Sequence, residues 1–165
     1  MPGPLRIEHL ELALDPEAPF HLNFARAGDE VARALAVAVA SSDLQLAVRA
    51  AALCGHVTLE GTLEVLRGAA RSPRPALREA VAAALERRRD DHPDLLASLL
   101  LDPDGRVRAR ALATLARRPA RRRLRHLAAL KRLRADPDPR VRSLAHRIGV
   151  LRRQAAMCRA LQRTM

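Results

Sequence analysis

DPDGRVRARALATL at residues 102–115 and DPDPRVRSLAHRIG at 136–149 are two copies of one pattern, and the fold follows from reading them together. In each, an aspartate is followed six positions later by an arginine: Asp102/Arg108 and Asp136/Arg142. Fainter copies stand upstream as Asp43/Arg49, within SDLQLAVRAAAL at 42–53, and as Ser72/Arg78. A branched apolar residue precedes every one of these arginines, at Val48, Leu77, Val107 and Val141. Proline follows three of the leading residues, at Pro73, Pro103 and Pro137. The arginines recur at intervals of 29, 30 and 34 residues. Self-similarity at that period describes stacked supersecondary units, each too small to bury its own apolar face alone.

Each unit reads as two helices. The expected pairs are 29–40 with 44–54, 59–70 with 75–88, 93–101 with 105–117, and 120–134 with 139–151. Asp29, Asp43 and Thr58 are the expected N-caps. LDPDG and ADPDP are tight linkers, because proline cannot continue the preceding helix but is tolerated in the first turn of the next. Composition agrees. Apolar residues make up 48% of the chain, almost wholly Ala, Leu and Val, with two Phe and no Trp or Tyr. Such residues suit closely packed helices, and the strand-favouring aromatics are missing.

The repeats resemble the HEAT-repeat family, in its short bacterial, phycobilisome-lyase-type form. The resemblance implies an all-α, right-handed α-solenoid of four to five helix pairs. It divides the single domain into a degenerate N-terminal cap at 1–28, four repeats at 29–151 and a C-terminal capping helix at 152–165. In the cap, Ile7, Leu10 and Leu14 have helical spacing, while Leu10, Leu12, Leu14 and Phe20, Leu22, Phe24 alternate as strands do, so a helix and a hairpin both stay open. In this family the recurring Asp and Arg form a hydrogen-bonded ladder between neighbouring units. By resemblance, Asp43, Arg49, Arg78, Asp102, Arg108, Asp136 and Arg142 belong to it, with Ser72 a weak rung. Second helices line the concave surface of such stacks.

Helical geometry then gives the residues of that surface. Val107, Ala111 and Leu115 share one face and are expected in the core, which leaves Arg106, Arg110, Ala113 and Arg117 opposite. Shifted by the repeat interval, the same positions are Ala76, Ala80, Ala83 and Arg87 in the second unit and Arg140, Leu144 and Arg147 in the fourth. In the first unit they are Ala47, Ala51 and Cys54. The expected groove is smooth and apolar at one end and arginine-lined at the other. A second basic stripe, Arg118, Arg121, Arg122, Arg125 and Arg132, falls on the helix at 120–134, with Leu124, Leu127 and Ala128 on its apolar side.

Charge is divided unevenly. The net charge is +12, and 29 of the 30 basic residues are Arg, the exception being Lys131. Residues 1–103 carry 11 Arg against 15 acids, whereas 104–165 carry 19 basic residues against 3 Asp. Codon bias accounts for Arg over Lys but not for the loss of acids from the second half.

No catalytic constellation appears. His9, His21, His56, His92, His126 and His146 lack metal-ligand spacing, and there is no phosphate-cradling glycine loop or nucleophile elbow. His126 and His146 read as residues of solvated helix faces, and Asp90-Asp91 as local ion pairing at a helix end. One HEAT-like group repairs alkylated DNA, but gripping an extruded base calls for aromatic stacking surfaces that are missing here. The expectation is a non-catalytic scaffold without cofactor, metal or small-molecule substrate, binding a protein with an acidic segment. The alternative is duplex nucleic-acid backbone binding by the same arginines. No apolar run of about 18 residues spans a membrane, the N-terminus lacks the apolar core of a signal peptide, and cysteine usage suggests the cytosol.

Cys54 and Cys158 fall about three repeats apart. Packed helices are spaced by roughly 8–10 Å, so the two exceed the roughly 7 Å Cα limit for a bridge. Melting curves with and without reductant should coincide; a reductant-sensitive melting temperature would contradict the stacking order.

Overall fold

In a computed structural model, the described residues are 28–148, apart from Thr58 and Arg89. The expected N-terminal cap, the C-terminal capping helix, the Thr58 cap and Cys158 therefore lie outside them. Among the described residues all regular structure is helical, with no strand. The elements are α1 (Gly28–Ala40), α2 (Leu44–Leu53), α3 (Glu60–Ala69), α4 (Pro75–Arg87), α5 (Pro93–Leu100), α6 (Gly105–Arg117), α7 (Ala120–Arg123) and α8 (Leu127–Leu133). A further helix, α9, occupies residues 139–148. Two compact units divide between Asp91 and His92.

Local chemistry sets these boundaries. Asp43 caps α2, its carboxylate accepting the Gln45 amide at 2.8 Å and the Leu46 amide at 3.3 Å. Asp104 does the same for α6 through the Arg106 amide at 2.7 Å. Pro75 and Pro93 open α4 and α5 in the first turn, where a missing N–H costs no hydrogen bond. Asp29 differs from expectation: α1 begins at Gly28, so Asp29 sits within the first turn. Its charge there still complements the partial positive charge of the helix start.

In the first unit α1 packs on α2 and α3, and α4 packs on α2 and α3. Val31, Leu35, Ala38 and Val39 form the buried stripe of α1 at helical spacing. Leu66, Leu77, Val81 and Leu85 complete the core from α3 and α4. In the second unit α5 packs on α6. Val107, Ala111 and Leu115 are fully buried, as their spacing requires, together with Leu99, Leu100 and Leu112. Val141, Ala145 and Ile148 repeat the pattern on α9. Each buried leucine contributes about 2 kcal/mol by transfer from water.

The expected helix at 120–134 is interrupted. Leu124–His126 form a 3-10 turn between α7 and α8, and that turn packs on α5. Three residues at about 120° each, instead of about 100°, rotate the faces of α8 by about 60° relative to α7. Different side chains therefore face inward. His126, Leu130 and Leu133 are buried, while Leu124 and Ala128 are exposed and Leu127 is half-buried. This corrects both the apolar side assigned to that helix and the reading of His126 as solvated; His146 is exposed.

Two glycines give a contrast in packing. A Cβ on Gly55 would lie 2.8 Å from the Ala84 carbonyl oxygen and 2.9 Å from its Cα, so the close approach of the α2 end to α4 excludes a larger residue. A Cβ on Gly68 in α3 would meet nothing within 4 Å, and the glycine has no positive φ to justify it. Gly68→Ala should therefore stabilise the protein by about 0.5–1 kcal/mol, through helix propensity and a less free unfolded chain. Gly55→Ala should destabilise it. Equilibrium urea unfolding checks both, and a destabilised Gly68→Ala would mean that the groove beside α3 is already filled.

Candidate functional site

The recurring arginines have one defined task. Arg78 donates to the backbone carbonyl of Ser72 at 2.8 Å, Arg108 to that of Asp102 at 2.8 Å, and Arg142 to that of Asp136 at 2.7 Å. Arg108 and Arg142 also reach the carbonyls of Pro103 and Pro137, each at 2.9 Å. A guanidinium six residues into the motif thus folds back onto the linker and occupies carbonyls that proline geometry turns away from any helix. The leading side chain closes the same linker from the other side. Ser72 Oγ accepts the Arg74 amide at 3.2 Å, Asp102 Oδ1 the Asp104 amide at 2.9 Å, and Asp136 Oδ1 the Asp138 amide at 2.9 Å.

This geometry moves the register of the first repeat by two residues. Ser41 Oγ accepts the Asp43 amide at 3.1 Å, so Ser41, not Asp43, stands in the leading position. Six residues on is Ala47, which is fully buried, while Val48 is half-buried and Arg49 exposed. In this alignment Ala47, not Arg49, stands where Arg78, Arg108 and Arg142 stand in the other repeats. The guanidinium comes instead from Arg74, which donates to the Ser41 carbonyl at 2.8 Å and to the Val39 carbonyl at 3.1 Å.

Arg108 and Asp136 join two repeats through their side chains. Arg108 Nε and Nη2 bind the Asp136 carboxylate at 2.8 and 2.7 Å, in a bidentate pair whose side chains are 11% and 5% exposed. Burial alone would raise the Asp136 carboxyl. The Arg108 hydrogen bonds, the Asp138 amide and the charges of Arg108 and Arg142 outweigh it and hold that carboxyl below the usual carboxylate range. Arg108 is raised in turn, chiefly by its bond to Asp136.

A second arginine hub is buried at Arg88, the C-cap of its helix at the position that Arg118 holds in the next repeat. Arg88, just past α4, donates to the Cys54 carbonyl at 3.0 Å, the Val57 carbonyl at 3.3 Å and Thr62 Oγ1 at 3.0 Å. Asp90 balances its charge at 2.7 Å, the local ion pairing expected at that helix end. The adjacent Cys54 thiol is pushed up to about 12 by burial, against the lowering influence of Arg88. It is therefore a packed neutral thiol rather than a nucleophile.

The remaining arginines form the surface. On α6, Arg106 and Arg117 are exposed and Arg110 and Ala113 half-buried; on α9, Arg140 and Arg147 are exposed and Leu144 is half-buried. Arg106 and Arg117, eleven residues apart, return to within about 20° of one face, and so do Arg140 and Arg147, seven apart. The second stripe survives in part, with Arg121, Arg125 and Arg132 exposed and Arg118 and Arg122 half-buried. The apolar end of the expected groove is different. In the first unit Ala76 and Arg87 are exposed and Ala83 half-buried, but Ala80, Ala47, Ala51 and Cys54 are buried. These four are core residues, and for Ala47, Ala51 and Cys54 this follows from the two-residue register shift of the first repeat.

Electrostatically the second unit is one-sided. Residues 92–148 hold 15 Lys plus Arg against 5 Asp and no Glu. From 105 to 135 there are 12 basic residues and no acid. Four of the five aspartates are linker or cap acceptors: Asp102, Asp104, Asp136 and Asp138, the last accepting the Arg140 amide at 2.8 Å. Among the described residues no three His, Cys, Asp or Glu come together as a metal site, and no helix is long and apolar enough to cross a membrane. Comparison with known proteins gives no match to a protein-family model or to a curated protein.

The pair Arg108–Asp136 has a pH signature. Asp136 is depressed in the folded state, so its contribution is fully present above the unfolded aspartate value of about 3.9 and is lost as pH falls through the folded value. Asp136→Asn should cost about 3 kcal/mol at neutral pH by leaving Arg108 without its counter-charge, and should flatten the acid limb of stability. Urea unfolding from neutral to acid pH measures both; an unchanged acid limb would remove Asp136 from the account.

Proposed function

We propose that the protein is a non-catalytic binding scaffold that captures an anionic macromolecule on the arginine stripe of its second unit. Arg106, Arg110 and Arg117 on α6 and Arg140 and Arg147 on α9 make the contact. The observation that carries this reading is the division of charge: four of the five aspartates at 92–148 are held as linker or cap acceptors, and the arginines of the stripe stand on helix faces. Arginine suits the task because its planar guanidinium pairs bidentately with carboxylates and phosphates alike. The repeated guanidinium–carbonyl contact supports the wider proposal of a HEAT-like α-solenoid, right-handed as the resemblance implies. A cytoplasmic setting belongs to the same proposal and rests on cysteine usage.

A protein partner with an acidic segment was the first expectation, with an apolar contact at the alanine end. Burial of Ala80, Ala51 and Ala47 removes most of that contact, and the electrostatic half of the reading remains.

Retention on immobilised heparin tests the binding of anionic macromolecules in general. The intact chain should be retained at a physiological ionic strength of about 0.15 M, where exposed charges act over about 8 Å. The triple variant R106E/R140E/R147E should elute well before it. R67E, a reversal on an exposed arginine of α3, should elute close to the parent. Glutamate at 106 and 140 enters the first turns of helices, where negative charge is favourable, so the variant should keep its fold. Co-elution of the triple variant with the parent would overturn the proposal.

A further inference from the structure

We infer that the anionic partner of this stripe is the phosphate backbone of a double-stranded nucleic acid, bound without regard to sequence. This deepens the preceding reading and rests on it.

The inference starts from what the surface lacks. Protein interfaces are anchored by a few aromatic or large apolar side chains set in desolvated pockets. Residues 28–148 contain no Phe, Tyr or Trp. Along the stripe itself, the only large apolar side chain is Leu144, which is half-buried. A partner held here is held by charge. An acidic peptide would have to be ordered against that charge, and the conformational entropy lost at every residue fixed opposes binding. A duplex is already stiff and presents one negative charge per about 1.7 Å of its axis.

The cations are also set rigidly. Arg106 and Arg117 lie about 16 Å apart along α6, and Arg140 and Arg147 about 10 Å apart along α9, at the helical rise per residue. Fixed cations on helix faces suit a rod whose charges recur at every position, because some phosphate falls within reach of each. A carboxylate would only repel such a rod, and none occurs from 105 to 135. The same inventory limits the mode of binding. Without aromatic platforms the surface lacks the main means of stacking the bases of a single strand. Residues 92–148 contain no Asn or Gln, the side chains that read adenine edges. Arginine can read guanine edges, but on a surface whose polar groups are almost all arginine the recurrent phosphates dominate, and phosphate contact positions a protein on a duplex without reading it.

Fluorescence anisotropy of the intact chain tests this, with two short mixed-sequence DNA duplexes as probes and poly-L-glutamate as competitor. The two duplexes should bind alike. About five phosphate contacts give a log–log salt slope of about −4.5, so affinity should fall about 500-fold from about 50 to about 200 mM salt. R106E/R140E/R147E should abolish binding to both, R67E should not, and poly-L-glutamate at matched charge should displace the duplex poorly. If poly-L-glutamate binds more tightly than either duplex and competes it away, the nucleic-acid inference is overturned while the anionic-partner reading stands. If neither polyanion binds, both fall. A salt slope near zero, or duplex binding unchanged in the triple variant, would also overturn the inference.

Discussion

The structure depends on a guanidinium reaching six residues back to the carbonyl that opens its own linker. A helix ending at a proline linker leaves carbonyls without intrahelical partners, and burying them unpaired would cost about 1–3 kcal/mol each. Arg78, Arg108 and Arg142 occupy them at 2.7–2.8 Å. The linker is thereby closed by charge-assisted bonds, so both helices of a repeat leave it in a fixed direction. Where the motif arginine is replaced by Ala47, Arg74 of the next repeat fills the same role at the Ser41 carbonyl. The constraint is kept although the residue that meets it changes.

This requirement also explains the electrostatics. An arginine in the linker needs a counter-charge or a set of carbonyls, and an aspartate there needs amides. The linkers therefore retain Asp102, Asp104, Asp136 and Asp138 in a stretch, 92–148, whose only other acid is Asp94. Arginines of the first kind are structural and half-buried or buried, as in Arg78, Arg88 and Arg108. Those of the second kind, such as Arg106, Arg140 and Arg147, stand on exposed faces. A single residue type thus has two roles, separated by position within the repeat, and sequence composition cannot tell them apart.

Much of the fold was legible. Gly105–Arg117 and the start of α4 at Pro75 match expectation because Pro, Gly and Asp mark the linkers, and the Val107, Ala111 and Leu115 spacing identifies the core. The first repeat reads two positions out of register because Asp43 happens to have an arginine six residues on. A sharper signal existed in the pairs Ser41/Asp43, Ser72/Arg74, Asp102/Asp104 and Asp136/Asp138, where a short polar side chain accepts the amide two residues later. The interruption at Leu124–His126 was not legible, since a 3-10 turn keeps the helical pattern while rotating its phase. The Arg88 hub was not read although Arg118 repeats its position, because Cys54, Val57 and Thr62, which it binds, lie 26–34 residues away. Of the expected surface, Arg106, Arg117, Arg140 and Arg147 are exposed, whereas Ala47, Ala51 and Cys54 were placed by the Asp43 register and are buried.

The division of arginines into two populations is the central claim, and side-chain NMR of nitrogen-labelled arginine tests it directly. During titration with a DNA duplex, the hydrogen-bonded guanidinium N–H signals of Arg74, Arg78, Arg88 and Arg108 should exchange slowly with water and stay in place. The guanidinium N–H signals of Arg106, Arg140 and Arg147 should exchange fast in the free protein and shift as the duplex is added. Equal exchange across all of these arginines, or shifts confined to the linker set, would contradict the account.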